Sequence, residues 1–158
     1  MLTSLERITG MPVVWKNEQV GLVEQAVADA DAHRLCGLIV RKGLRGARWC
    51  AAEDITLVGK ACVIISQKPV TLPEKRPSAM KQVFLATGQY AGQVTDGLIH
   101  PATLALKAIQ ISPGPIHRLF GYCAYASEYR LDATGDLIIA NLLSWEQLKS
   151  QIREEDPT

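Results

Sequence analysis

Residues 20–29 read Val20-Gly21-Leu22-Val23-Glu24-Gln25-Ala26-Val27-Ala28-Asp29, and a shift of about 71 residues lays them over the stretch around Gly92. The shift brings Gly21 onto Gly92, Val23 onto Val94, Val27 onto Leu98 and Leu35 onto Leu106. Further on, Leu38 meets Ile109, Val40 meets Ile111, Gly43 meets Gly114 and Trp49 meets Phe120. A few extra residues in the second half then let Val63-Ile64-Ile65 meet Leu137-Ile138-Ile139. Identities are few, but the order and lengths of consecutive apolar runs recur. Self-similarity at a fixed period is the signature of a duplicated unit.

The runs themselves predict strands. In the first half they are Val13–Lys16, Val20–Asp29, Arg34–Lys42, Ala47–Ala51, Thr56–Val58 and Ala61–Ser66. In the second they are Gln82–Ala86, Tyr90–Ile99, Leu104–Ser112, Leu119–Ala126, Glu128–Leu131 and Asp136–Ala140. Val and Ile dominate them, and these side chains fit a pleated surface better than a helix turn. Between the halves, Pro69, Pro73 and Pro77 punctuate a charged segment. Proline lacks the N–H and the φ freedom of a central strand or helix. The segment reads as a linker, the alternative being an edge or connecting piece within one domain. Ser144-Trp145-Glu146-Gln147 has the form of a capping box, so a helix is expected from about Trp145 to Glu154.

Each half is a marginal core by itself. Six short strands leave exposed edges unless the sheet curls onto itself. The expected fold is therefore all-β: two tandem small barrels and a short C-terminal helix. The domain reading is residues 1–66 for the first barrel, 67–77 for the linker, 78–142 for the second barrel and 143–158 for the helix and tail.

The composition agrees with globular folding: 158 residues, 47% hydrophobic and 21% charged. The net charge of +1 sets up no global field for nucleic acid or anionic membrane. Cys36, Cys50, Cys62 and Cys123 form no CxxC pair, and all sit in apolar surroundings, as buried thiols of a reducing compartment would. No metal site or cofactor is expected. Met1–Arg7 has no secretory character, and the longest apolar runs are far short of a bilayer span. These features predict a cytoplasmic protein without membrane insertion.

A first-half pattern carries a resemblance. Leu5-x-x-Ile8-x-Gly10-x-Pro12-Val13 opens it, and the strand Val20–Asp29 follows. Then come Arg34, Leu38-Ile39-Val40, Ala52-Glu53-Asp54-Ile55 and Val58-Gly59-Lys60-Ala61-Cys62-Val63-Ile64. This resembles the PRC-barrel domain, found in the cytoplasmic part of a photosynthetic reaction-centre subunit and in a ribosome maturation factor. The second half departs more: His100 stands for Asp29 and Ala105 for Arg34, so it reads as a degenerate copy. The resemblance implies a non-enzymatic module that binds a protein partner, or a second copy of the chain. Fold alone does not assign the partner.

The residues offer little catalytic chemistry. His33, His100 and His117 sit near turns or loops, with no nucleophile elbow to serve. Gly43-Leu44-Arg45-Gly46 lacks the strand–loop–helix setting of a phosphate loop. The most distinctive feature is charge. Residues 32–52 contain no acid, and Arg41, Lys42, Arg45 and Arg48 cluster at one predicted hairpin around Leu44. That hairpin is the candidate partner-binding site, with Trp15, beside the turn Lys16-Asn17-Glu18, as a further contact. The alternatives are an RNA- or ribosome-associated role for the same cations, and an ordinary solvated hairpin. The corresponding stretch of the second half, Ser112–Arg118, is proline-rich and nearly uncharged.

Overall fold

The computed structural model describes residues 2–73, 81–113 and 123–155. The first half contains β1 (Thr3–Ser4), α1 (Leu5–Ile8), β2 (Pro12–Trp15), β3 (Glu18–Ala28), β4 (Leu35–Arg41) and β5 (Ala47–Ala51). A 3-10 turn over Ala52–Asp54 leads into β6 (Ile55–Val58), β7 (Val63–Ile65) and β8 (Val70–Thr71). The second half contains β9 (Gln82–Leu85), β10 (Tyr90–Ile99), β11 (Leu106–Ser112), β12 (Ala124–Ala126), β13 (Tyr129–Leu131), β14 (Leu137–Ile139) and the helix α2 (Trp145–Glu155). The fold is all-β, with two curled, barrel-like sheets and one short C-terminal helix.

The first sheet runs in the order β6-β7-β2-β3-β4-β5-β8 and the second in the order β12-β11-β10-β9-β14-β13. In the first sheet β2 pairs parallel with β7, and in the second β9 pairs parallel with β14. Val13 faces Val63 and Trp15 faces Ile65 in the first sheet. Val83 faces Leu137 and Leu85 faces Ile139 in the second. The match of Val63-Ile64-Ile65 to Leu137-Ile138-Ile139 is thus a structural equivalence. Val13, Val63 and Ile65 are buried on the concave side, as are Val83, Leu137 and Ile139.

Gly21 and Gly92 play the same part in the two sheets. Gly21 has φ +156° and Gly92 has φ +140°, a region that L side chains rarely adopt. Each sits at a register shift against the preceding strand, between Val13 and Val14 for Gly21 and between Tyr90 and Gly92 for Gly92. A Cβ on Gly21 would lie 2.7 Å from Val40 Cγ1 and 2.8 Å from the Arg41 carbonyl oxygen. On Gly92 it would run into Ile111 and the Ser112 carbonyl, the same positions one repeat later. These are β-bulges that bend the long strand and curl the sheet.

The first hairpin turn is held by Asp29, whose Oδ1 accepts from the backbone N–H of His33 at 2.9 Å and of Arg34 at 3.2 Å. Partial burial and a hydrogen bond with Asp31 raise the Asp29 carboxyl above its ordinary range. In the second half His100 replaces it with imidazole chemistry: Nδ1 accepts from Ala102 N–H at 3.2 Å and Thr103 N–H at 3.4 Å. The backbone closes alike in both, Asp29 N–H to the Arg34 carbonyl at 2.9 Å and His100 N–H to the Ala105 carbonyl at 3.0 Å.

Two short pieces of the fold, the helix α1 and an edge strand, fall outside the pattern of strong apolar runs. The short helix α1 is capped by Ser4, whose Oγ accepts from Arg7 N–H at 3.1 Å, and it buries Ile8 completely. Val70–Thr71, inside the proline-rich segment, adds a two-residue edge strand to β5. Residues 74–77 of that segment lie outside the described residues. The alignment of Trp49 with Phe120 is corrected by register. Trp49 faces Ile39, and the counterpart of Ile39 is Gln110, which faces Tyr125. Tyr125 therefore occupies the Trp49 position, because the second half carries extra residues after β11. Phe120 lies outside the described residues.

The chain forms two compact units. One holds the described residues of 1–79 together with Leu98–Leu106; the other holds those of 80–97 and 107–158. Within the first unit, β1 pairs with Leu98 and Ile99, and Leu35 N–H donates to the Leu104 carbonyl at 2.9 Å. Leu106 N–H donates to the His33 carbonyl at 2.9 Å. Ile99, Leu104 and Leu106 are all buried. In the second unit the capping box forms as expected: Ser144 N–H donates to Gln147 Oε1 at 2.9 Å and Gln147 N–H to Ser144 Oγ at 3.2 Å. Leu148 is buried beneath the helix.

Candidate functional site

The candidate site grows from the β4–β5 hairpin. Both strands are apolar inside: Leu38 faces Cys50 and both are buried. The strands stay paired to the hairpin mouth, where Arg41 faces Ala47. Gly43 at φ +56° and Gly46 at φ +80° form the bend, with open space where their Cβ atoms would be. Between them Leu44 projects fully into solvent at 104% relative exposure. An apolar side chain gains nothing from that position in the isolated molecule.

The four cations of the hairpin are not equivalent. Arg41 is held by its neighbour on β3: Nε donates to Glu24 Oε1 at 2.9 Å, with both side chains partly exposed. A stretch free of acids along the chain is thus not free of acids in space. Lys42, Arg45 and Arg48 are exposed, and no ion pair to them occurs among the described residues. Arg48 faces Val40 across the hairpin and Thr71 on the other side, at the edge of the sheet. The usable charge is therefore three cations around Leu44.

Trp15 lies elsewhere. It ends β2 and faces Glu18 across the turn formed by Lys16 (φ 50°) and Asn17 (φ 65°). Lys16 Nζ sits 4.8 Å from its ring centre. The strand order puts the β2–β3 turn and the β4–β5 hairpin at the same end of the sheet, with β3 between β2 and β4. Trp15 is half-buried and engaged with Lys16 rather than joined to the hairpin cations. Trp49, by contrast, lays its ring over Gly37, where a Cβ would collide with it. Its role is packing.

Other groups with chemistry on the sequence are dispersed. His33 and His100 belong to the two hairpin turns, and His117 lies outside the described residues. Cys50 is buried, and burial first, with the Asp54 charge second, pushes its thiol up to about 11. That thiol stays protonated at neutral pH. Among the described residues, no three His, Cys, Asp or Glu side chains are grouped as a metal ion would need. No helix among the described residues is long and apolar enough to cross a membrane. What the hairpin can do chemically is bind, by charge and by one apolar contact. No family model matches the chain, and no curated protein matches it.

Proposed function

We propose that the chain is a non-enzymatic binding module of PRC-barrel type, an adaptor that holds an acidic protein partner through its β4–β5 hairpin. One observation carries this reading: a fully exposed Leu44 surrounded by Lys42, Arg45 and Arg48, three exposed cations with no ion pair among the described residues. Unpaired cations steer an acidic surface into contact, and the leucine then gains burial that it lacks in the free molecule. Four free cysteines support a cytoplasmic setting.

The test reverses Arg45 and Arg48 to Glu and reads two quantities together. Exposed loop charges rarely alter stability by more than about 0.5 kcal/mol, so melting should hold. Capture of the partner should fall several-fold and should already weaken with salt in the wild type. Unchanged melting with unchanged capture would reduce the hairpin to a solvated turn. RNA is the second reading, supported by the same three cations. A titration against RNA at rising salt separates it, because counterion release makes phosphate binding fall steeply.

A further inference from the structure

Two hairpin turns meet within the first unit, each braced by a different acceptor. Leu98–Leu106 belongs to that unit, so the turn after His100 and the turn after Asp29 lie in one compact body. They are joined main chain to main chain. Arg34 bridges Ala105, Leu35 N–H donates to the Leu104 carbonyl and Leu106 N–H donates to the His33 carbonyl, both at 2.9 Å. Asp29 braces its turn through Oδ1, which accepts from the His33 and Arg34 N–H groups. His100 braces the other through Nδ1, which accepts from the Ala102 and Thr103 N–H groups.

The two acceptors respond differently to a proton. A carboxyl group keeps an acceptor oxygen in either protonation state, whereas a ring nitrogen accepts only while it carries no proton. Imidazoles change charge between about pH 5 and 8. The His100 turn is also the more strained. Leu104 stands at φ 63°, where a bulky L residue persists only if its surroundings hold it, and its N–H reaches the His100 carbonyl at 2.8 Å. What the turn carries is apolar: Ile99, Leu104 and Leu106 are all buried.

We propose that His100 is an acid-sensitive latch: a proton on Nδ1 removes the brace from the 100–105 turn and loosens Leu104 and Leu106 from their seat beside Leu35 and His33. The brace is present on the neutral side and is lost as pH falls. Several charged or titratable groups sit on the segments paired with this turn. They are Glu6 next to β1, Asp29, Asp31, His33, Arg34 and Cys36 around the partner turn, and Lys107 on β11. No ion pair to His100 occurs among the described residues, so no carboxylate contact rewards the imidazolium there. His33 is the other imidazole of the joint, and the experiment separates the two. The inference goes beyond the adaptor reading and does not depend on the β4–β5 hairpin.

Hydrogen exchange on the full chain tests it. The readout is the protection factor at the Leu35 and Leu106 amides, which removes the intrinsic pH dependence of exchange. Between about pH 7.5 and 5.5 the wild type should lose about fivefold in protection there, the scale of one net hydrogen bond. His100→Asn supplies a neutral acceptor that does not titrate, so it should keep its protection across the range. His100→Ala supplies none and should show the lower protection at both ends. His33→Gln should respond as the wild type does. Circular dichroism checks that each variant is folded at both pH values. Wild-type protection that stays flat overturns the proposal. So does a loss that persists in His100→Asn or disappears in His33→Gln.

Discussion

The two sheets share strand order, parallel closure and glycine bulges, yet they treat their surroundings differently. The first exposes a cationic hairpin at one end and carries Leu57, Pro12 and Leu22 on β6, β2 and β3, with both leucines partly exposed. At the matching positions the second has Arg130, Gln82 and Gln93. The first unit also takes in nine residues of the second half, Leu98–Leu106, whereas the second unit draws none from residues 1–79. The two sheets bend the chain in the same way and differ at exposed positions. The parts that determine curvature, Gly21 and Gly92 with their close neighbours Arg41 and Ser112, are the parts the two copies still share in geometry.

The asymmetry in unit composition should give the largest effect. A fragment of residues 1–79 lacks buried Ile99, Leu104 and Leu106. Loss of each buried aliphatic side chain costs about 2–5 kcal/mol, and the sum rivals a domain's whole stability of about 5–15 kcal/mol. We expect that fragment to lose cooperative melting by circular dichroism and fragment 80–158 to retain more of it. Equal cooperativity of the two would break the contrast.

Next come the bulges. Gly21→Ala and Gly92→Ala each force a Cβ into a positive-φ site with a backbone carbonyl in its way. Each should cost about 2–4 kcal/mol in denaturant unfolding. A large cost at one site only would show that the two bulges are not equivalent.

A smaller effect separates the sheets by pH. Cys50 faces Leu38, and Ala126 faces the matching Ile109, so the buried thiol belongs to the first sheet alone. The folded chain holds that proton to about pH 11, whereas the ordinary value is 9.0. Protonated thiol is thus favoured by folding. Its contribution is complete below pH 9 and is lost as pH rises toward 11, about 2–3 kcal/mol in all. Cys50→Ala should flatten the decline of stability between pH 9 and 11, measured by urea midpoints. The smallest effect is expected from Arg41→Gln. Its exposed pair with Glu24 has Thr95 and Ser112 at the matching positions of the other copy, and its loss should cost at most about 0.5 kcal/mol.

Strand positions were legible because β-branched residues recur between turn signals; β3, β4 and β10 lie within two residues of the ends expected from the pattern. The Ser144–Gln147 box and the place of His100 near a turn were legible for the same reason, since each is a local arrangement. What pattern could not reveal is pairing across distance. Neither the seat of Leu104 beside Leu35 nor the Glu24 partner of Arg41 leaves a mark on nearby residues. The bulges hide outward-facing leucines as well, because each extra residue breaks the alternation that would mark Leu22 and Leu57 as outward. Edge strand β8 escaped because two residues between prolines carry no period. The basic hairpin is legible because its cations fall within eight residues, whereas the Glu24 partner of Arg41 lies on another strand.

The hairpin Leu98–Leu106 also orders events in time. A ribosome releases the chain from its N-terminus, so β2 to β8 emerge while the residues that bury against them are still unmade. At roughly 5–20 residues per second, the wait between residue 73 and residue 106 lasts roughly two to seven seconds. During that interval the start of β4 at Leu35 offers its backbone and its apolar side chain without the strand that later covers them. The second half thus finishes the first before it finishes itself, and the growing chain passes through a stage in which its earlier sheet depends on what has not yet been translated.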